Sequence, residues 1–234
     1  MKSLLYNISK KAGIELSENE LEKFQKYYDL MIETNKVMNL TSIIEKNEVV
    51  NKHFLDSIIL KKYISLSGNI IDVGTGAGFP GIPLSIILSD VDFTLMDSLN
   101  KRIKFLDEVI EECNIKNVKA VHSRAEDLSQ NINHREKYDY CVSRAVANMS
   151  VLLELCIPFL KIGGKFISYK SDTIEEEIGK SENAQKTLGC KLSDIIEFEL
   201  PDTDIKRKFV IFEKVKNTPK KYPRQAGKPK KEPL

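Results

Sequence analysis

Several signals of common protein classes are missing from this sequence of 234 residues. No apolar run approaches the roughly 18 residues that a membrane helix needs, and the first residues hold no signal-peptide apolar region. The four cysteines show no C-x-x-C spacing and the three histidines lie far apart. The sequence therefore predicts neither a disulfide framework nor a metal site, and the cysteines should be buried thiols. We expect a cytoplasmic protein without membrane contact.

The charge is unevenly distributed along the chain. Residues 216–234 hold seven bases and one acid, a net charge of +6, which leaves −4 for residues 1–215. Four prolines and one glycine in this basic tail favour an extended segment without a core of its own. By charge alone, the tail is either a solubilising appendage or an arm that binds nucleic-acid phosphates.

The first quarter of the chain has the pattern of helices. Ser17 and Glu20 are spaced as a capping box. Leu21, Phe24, Tyr28 and Met31 then recur at helical spacing, which predicts a helix from about 18 to 35. A second amphipathic segment follows at about 48–62. We expect residues 1–64 to form a helical extension packed on the rest of the chain.

From residue 69 onward, short apolar runs alternate with longer helical ones, as in a parallel sheet covered on both faces. The predicted strands are 69–73, 92–97, 118–122, 138–143, 165–169, 194–200 and 206–214. The predicted helices lie near 80–89, 100–113, 150–160 and 173–188. The last two strands are close in sequence, so they should pair antiparallel. Residues 65–215 are thus predicted to form an α/β, Rossmann-like domain with a seven-stranded, mostly parallel sheet, as in class I methyltransferases.

A glycine-rich loop, residues 72–81, follows the first predicted strand. Its spacing is G-x-G-x-G, and Phe79 follows the third glycine, whereas dinucleotide-binding folds use G-x-G-x-x-G. Pro80 and Pro83 in the next helical turn remove N–H groups that would bind phosphate. Asp72 would hold the loop, face the cofactor's methionine end or cap a backbone turn. The loop therefore favours S-adenosylmethionine over NAD and disfavours a dehydrogenase. The candidate cofactor contacts here are Gly74, Gly76, Gly78 and Phe79.

Residues after the next two strands extend this candidate cofactor site. Asp97 ends the second strand, where an acid either accepts hydrogen bonds from ribose hydroxyls or caps the following helix. Ser98 and Leu99 would lie beside the adenosine. After the third strand come Ala125 and Glu126, where this fold usually contacts adenine; the alternative for Glu126 is a surface charge.

The end of the fourth strand is the expected place for the acceptor. Arg144 could hold the cofactor's carboxylate or an acceptor nucleotide there, or form a surface salt bridge. The sequence has no Asn/Asp-Pro-Pro-aromatic tetrad, which amino-group methylation of bases usually employs. Cys141 lies within a strand and Cys156 on an apolar helix face, which disfavours nucleophilic catalysis at cytosine. Guanine N7 remains attractive because its lone pair needs no general base.

The sequence resembles the bacterial 16S ribosomal RNA guanine-N7 methyltransferases once called glucose-inhibited division protein B. The resemblance covers nearly the whole chain from residue 39 to residue 234. The glycine loop with its Phe-Pro-Gly-Ile-Pro continuation carries much of it. The other matching segments are Asn39-Leu40-Thr41-Ser42, His53-Phe54-Leu55-Asp56-Ser57, Asp97-Ser98-Leu99-Asn100-Lys101-Arg102, Arg124-Ala125-Glu126, Ser143-Arg144-Ala145-Val146-Ala147 and the tail from Lys221 to Pro229.

The resemblance implies methyl transfer from S-adenosylmethionine to N7 of a guanine in the decoding-region loop of 16S ribosomal RNA. The partner would be that RNA or the small ribosomal subunit, and the protein would be a monomer. One departure is Ser171, which follows Lys170 where the family often has glycine. The expected substrate-side residues, none of them a certain catalytic group, are His53, Asp56, Arg144 and Lys170. The expected RNA contacts in the tail are Lys221, Tyr222, Arg224 and Lys228.

Two other functions remain open at this point. A class I methyltransferase acting on a small molecule or a protein would have the same cofactor loop. A non-catalytic RNA-binding or regulatory protein would keep the basic tail, but the full set of cofactor-loop residues speaks against it.

Overall fold

The computed structural model describes residues 1–144, 147–171 and 174–234. Its first helices are α1 (Lys2–Lys11) and α2 (Glu18–Asn35). The predicted capping box begins α2: Ser17 accepts a hydrogen bond from the Glu20 amide, and the Glu20 carboxylate accepts one from the Ser17 amide at 2.7 Å. The buried face of α2 includes Tyr27 rather than the predicted Tyr28, because spacings of three and four residues both return to one face.

The second amphipathic segment is divided into short helices. These are α3 (Lys46–Glu48), a π-helix (Val49–Leu55), α4 (Asp56–Ile58) and α5 (Leu60–Tyr63). A π-helix carries i→i+5 hydrogen bonds and often occurs at functional sites. This one contains His53, a predicted substrate-side residue.

Seven strands form one sheet in the order β3-β2-β1-β4-β5-β7-β6. The first five strands pair in parallel, and β7 pairs antiparallel with both β5 and β6, as predicted. Two strands are longer than predicted; β5 begins earlier because Leu160 pairs with Tyr138 before an irregularity in the ladder. The strands are β1 (Asn69–Val73), β2 (Asp92–Asp97), β3 (Val118–His122), β4 (Tyr138–Ser143), β5 (Leu160–Lys170), β6 (Cys190–Glu199) and β7 (Lys206–Lys214).

Helices connect the strands, and all except the short α8 lie close to predicted positions. They are α6 (Gly81–Ile87), α7 (Asn100–Glu112), α8 (Ala125–Leu128), α9 (Met149–Cys156), α10 (Glu175–Gly179) and α11 (Glu182–Leu188). A 3₁₀ turn, Ile157–Phe159, follows α9. The helix predicted over 173–188 is wrong in being continuous: a turn around Ser181 separates α10 from α11, and residue 173 lies outside the described residues. Ala145 and Val146 also lie outside them.

Two apolar clusters cover the sheet. The N-terminal helices contribute Phe24, Tyr27 and Phe54 to the first, together with residues of β1 and β2. The second cluster contains Cys141 and Cys156 and also includes Tyr222 of the basic tail. All four cysteines are buried, as predicted. The helical extension and the tail therefore each share a core with the sheet.

The sequence predicted an extended tail without a core of its own, but the basic tail packs on the domain and is not extended throughout. Thr218, Tyr222, Pro223 and Pro229 are buried, and a short helix, α12 (Lys228–Lys231), lies near its end. Local composition suggests an exposed chain because it counts the lysines, but the residues between them pack on the domain. Within the described ranges, no helix is long and apolar enough to cross a membrane.

Candidate cofactor and substrate site

A cavity of about 400 Å³ lies at the carboxyl edge of the parallel strands. Ligands of open α/β sheets bind at this edge, and the volume is within the range of small-molecule sites. The predicted cofactor residues that line it are Gly74, Asp97, Ser98, Ala125 and Glu126. The fold therefore brings predicted cofactor residues from three loops, those after β1, β2 and β3, to one cavity.

Asp72, which is fully buried, holds the glycine loop through hydrogen bonds. Its Oδ2 accepts hydrogen bonds from Thr75 Oγ1 at 2.7 Å and from the Gly81 amide at 2.9 Å. Burial raises the pKa of Asp72 to about 7. Gly74 takes a φ of +75° and donates its amide to Met96 at 3.0 Å, so a side chain there would strain the turn.

Gly76 is half-buried and a Cβ there would meet nothing within 4 Å, whereas Gly78 faces the protein. A Cβ on Gly78 would lie 2.7 Å from Ile82 Cγ1 and 2.8 Å from Tyr27 Oη, so this glycine permits close packing of the loop on α2. The Tyr27 hydroxyl, which is buried, donates to the Ala77 carbonyl at 2.5 Å. Helix α2 of the N-terminal extension therefore holds the glycine loop in place. Sequence reasoning missed this contact, because a tyrosine on an apolar helix face carries no other signal.

Asp97 is 3% exposed, and its carboxylate connects the glycine loop to the segment that leads into α7. One oxygen accepts from the Leu99 amide at 2.9 Å, at the start of α7. The other accepts from the Gly76 amide at 3.0 Å and from Arg102 Nη1 at 3.1 Å. A carboxylate offers about four lone-pair sites, so one acceptor position is left for a ribose hydroxyl. The Leu99 side chain is 42% exposed.

The residues present fit S-adenosylmethionine. The cavity offers a buried carboxylate at Asp97 for a ribose, a half-buried carboxylate at Glu126 for an adenine amine, and the apolar Leu152 and Leu155 beside them. Its described lining holds no lysine and two arginines, Arg102, which pairs with Asp97, and Arg124. A nucleoside with a sulfonium in place of a pyrophosphate matches this set of groups.

A second cavity, of about 290 Å³, lies beside the first at the end of β4. All four predicted substrate-side residues line it: His53, Asp56, Arg144 and Lys170. Ser171, the departure from the family pattern, is also in its wall. Arg207 and Lys52 complete the cationic lining and were missed, since a basic residue in a strand or helix gives no functional signal by itself.

Asp56 joins three segments of the chain in this cavity. It is 2% exposed, and its two oxygens accept from Arg144 Nη1 and Arg207 Nε, both at 2.9 Å. Arg144 Nη1 also donates to the Lys52 carbonyl at 3.1 Å. Arg144 therefore forms an ion pair, but a largely buried one that lines a cavity, unlike the surface salt bridge that was its alternative.

His53 is held as a neutral ring. Burial, reinforced by the Arg144 charge, lowers the pKa of His53 to about 3. Nδ1 faces the Arg144 guanidinium at 3.3 Å, which can only donate, so Nε2 carries the proton toward Thr41 Oγ1 at 2.8 Å. The ring also stacks on Phe79 with centroids 4.4 Å apart. Both nitrogens are engaged, so His53 orients its neighbours.

Lys170, at the end of β5, also lines this cavity. Its Nζ donates to the Ala147 carbonyl at 2.9 Å and to Glu177 Oε1 at 3.0 Å. The side chain is only 12% exposed. The described lining holds four cations and one carboxylate, Asp56, and the further partners Glu177 of Lys170 and Glu48 of Lys52 reduce its positive charge to a small excess.

Two of the predicted RNA contacts in the tail have partners within the protein. Tyr222 is 9% exposed and packs in an apolar cluster, which leaves little of its ring surface open. The Arg224 guanidinium is bound to Glu154, which is fully buried, with contacts of 2.6–3.2 Å. Lys221 and Lys228 are exposed, as an RNA contact requires. No group of three potential metal ligands occurs in the part of the chain that the structure describes.

The sheet order and the glycine loop with its acidic partners define a class I methyltransferase, the class that takes its methyl group from S-adenosylmethionine. The family model described as rRNA small subunit methyltransferase G matches residues 20–207, and the chain belongs to that family. A protein of that name from Lachnoclostridium phytofermentans is 52% identical over 95% of this chain and 93% of its own length. One from Clostridium perfringens is 49% identical over 98% of both chains.

Solved structures with low sequence identity share the fold. TYW2 of M. jannaschii in complex with AdoMet has a TM-score of 0.55 at 17% identity, covering 74% of this chain and 80% of its own. The fibrillarin pre-rRNA processing protein of Methanococcus jannaschii has a TM-score of 0.54 at 18% identity, covering 71% and 76%. These likenesses support the seven-stranded methyltransferase fold.

Proposed function

We propose that this protein transfers the methyl group of S-adenosylmethionine to N7 of a guanine in the decoding-region loop of 16S ribosomal RNA. The observation that carries the proposal is the pair of neighbouring cavities at the carboxyl edge of the sheet. One has the groups for a nucleoside cofactor, and the other has a positively charged wall for an RNA acceptor. Membership of the rRNA small subunit methyltransferase G family supports this substrate class.

In this proposal, the loop after β1 and the carboxylates of Asp97 and Glu126 hold the cofactor. When bound, the cofactor would supply a sulfonium methyl group that the N7 lone pair can accept, with a neutral thioether as the leaving group. N7 has a free lone pair, so no proton has to move. The structure agrees with a mechanism that has no general base, because both nitrogens of His53 are already hydrogen-bonded.

The chain's part in the reaction is then mainly to position the acceptor. Arg144, Lys170, Arg207 and Lys52 would hold phosphates around the target nucleotide, and Asp56 fixes the two arginines. Holding two reactants in the right geometry can contribute roughly 7–11 kcal/mol in favourable cases. The exposed Lys221 and Lys228 of the tail would add phosphate contacts outside the cavity.

The natural partner is 16S ribosomal RNA or the small ribosomal subunit, and the enzyme acts as a cytoplasmic monomer. The direct test uses purified protein, labelled methyl donor, and RNA or subunits from a strain that lacks this enzyme. We expect label in 16S RNA, with strand scission at a single N7-methylguanine. Label in small molecules or proteins without RNA would refute the proposed substrate. No transfer to any ribosomal RNA would favour a non-catalytic role.

A second experiment tests the cofactor site. Asp97→Ala removes the ribose acceptor and Gly74→Ala strains the loop at a φ of +75°, so both should abolish S-adenosylhomocysteine binding in calorimetry. Asp107→Ala, an exposed acid on the adjoining α7, is the matched control and should bind normally. Normal affinity in the first two variants would overturn the site assignment.

A further inference from the structure

The basic tail crosses the two helices that form one wall of the cofactor cavity. Ala125 and Glu126 of α8 and Leu152 and Leu155 of α9 line the cavity. On the α8 side, Arg135 donates to the carbonyls of Tyr222 and Thr218, both at 2.9 Å. The tail is thus fixed by its backbone before it reaches α9.

The firmest attachment is at Arg224. Its guanidinium makes a bidentate pair with Glu154 of α9, and its amide donates to the same carboxylate at 2.8 Å. Glu154 is fully buried, and the ion pair raises the pKa of Arg224. A buried carboxylate needs such a partner, because an unpaired charge in the interior is strongly destabilising. The tail therefore supplies the group that lets α9 carry an acid in its core.

Three residues further on, the tail touches the cofactor residues themselves. The Gly227 amide donates to Glu126 Oε1 at 3.1 Å. Gly227 has a φ of +83°, and a Cβ there would meet nothing within 4 Å. Glycine is therefore favoured at this position by the backbone conformation that points the amide at Glu126, and not by a lack of space. With one oxygen engaged, the rotation of the Glu126 carboxylate is restricted at the rim of the cavity.

We propose that the basic tail is a positioning element of the cofactor site. Arg224 anchors it on Glu154, and the Gly227 amide orients Glu126 for the adenine amine. The inference deepens the proposed function, on which it rests for the identity of the cofactor. The lysines of α12 are exposed, so the same segment can hold RNA phosphates on its outer face and the cofactor carboxylate on its inner face.

The test compares Gly227→Pro with Gly227→Ala in the full-length protein. Both side chains disturb the positive φ, but only proline lacks the N–H that Glu126 accepts. We expect calorimetry to give a dissociation constant for S-adenosylhomocysteine about tenfold higher in the proline variant than in the alanine variant, as for one hydrogen bond to a charged group. In methyl transfer, the KM for S-adenosylmethionine should rise while kcat at saturation stays constant.

A double-mutant cycle with Glu126→Ala separates this route from a general structural effect. Without the carboxylate, the proline and alanine variants should bind the cofactor product equally. Two results would each overturn the inference. One is equal affinity of the two Gly227 variants while Glu126 is present, and the other is the same tenfold difference after Glu126 has been replaced by alanine.

The charge of the tail is tested separately. The double variant Lys230→Gln/Lys231→Gln should leave the cofactor affinity unchanged and weaken RNA binding. A tenfold loss of cofactor affinity in this variant would mean that the charge of the tail, and not the Gly227 amide, acts on the cofactor site. Failure of the wild-type protein to methylate 16S RNA would refute the proposed substrate, but the difference in cofactor binding between the two Gly227 variants would remain measurable.

Discussion

Asp56→Asn is the most direct test of the substrate cavity. The change keeps the shape of the side chain but removes the charge that balances Arg144 and Arg207. Breaking a buried ion pair costs about 3–5 kcal/mol when the remaining charge is left without compensation. Here the arginine side chains are 19% and 24% exposed, so water can solvate part of each. We therefore expect a loss of about 2–3 kcal/mol in the free energy of unfolding.

Urea denaturation at neutral pH measures this loss, and thermal unfolding should show a decrease in Tm of roughly 5–10 °C for a chain of this size. Glu176→Gln is the matched control, because Glu176 and its partner Lys180 are 84% and 74% exposed and such a pair contributes at most about 0.5 kcal/mol. Methyl transfer should also decrease in Asp56→Asn, since both arginines lose their orientation. Equal stability losses in the two variants would refute the argument that Asp56 organises the cavity.

Three further predictions concern the groups around the cofactor loop. Tyr27→Phe should lower the free energy of unfolding by about 1 kcal/mol and weaken cofactor binding, measured by denaturation and calorimetry; unchanged cofactor affinity would contradict the role of its hydroxyl in fixing the loop. His53, with a native pKa of about 3 against an ordinary 6.5, contributes stability that is complete above pH 6.5 and lost on acidification. His53→Gln should therefore flatten the pH dependence of unfolding between pH 3 and 6.5, and an unaltered slope would speak against a neutral ring. For Asp72, whose native pKa is about 7 against 3.8, stability should fall as pH rises between these values. Asp72→Asn should remove that decline, and its persistence would assign it to another group.

The cofactor side of the site could be predicted because its signals are local. Glycines at fixed spacing after an apolar strand, and an acid at the end of the next strand, reflect backbone conformations that only a few residue types allow. The sheet edge then brings Asp97 and Glu126 to the same cavity, since the ends of parallel strands meet there. For this reason the residues from the first three strand ends line one cavity.

The substrate side and the tail were less predictable, because their contacts join distant residues. Arg207 has no local feature that separates it from any strand cation, yet it binds Asp56. By its charge, the tail was predicted to be either a solubilising appendage or a phosphate-binding arm, and nothing near Arg224 in the sequence points to a buried partner in α9. A glutamate within an apolar helix was the available signal, since such a residue requires a cation from elsewhere.

The three-way contact at Asp56 also bears on how the protein folds. Its carboxylate binds arginines 88 and 151 residues further along the chain. Contacts between such distant positions require loop closure that local helices and hairpins do not. The cavity is therefore assembled from the N-terminal extension, the end of β4 and β7, and no one of these segments can form it alone. Competence to hold RNA in this cavity should depend on the pairing of β7 with β5 and β6, which places Arg207 beside Asp56.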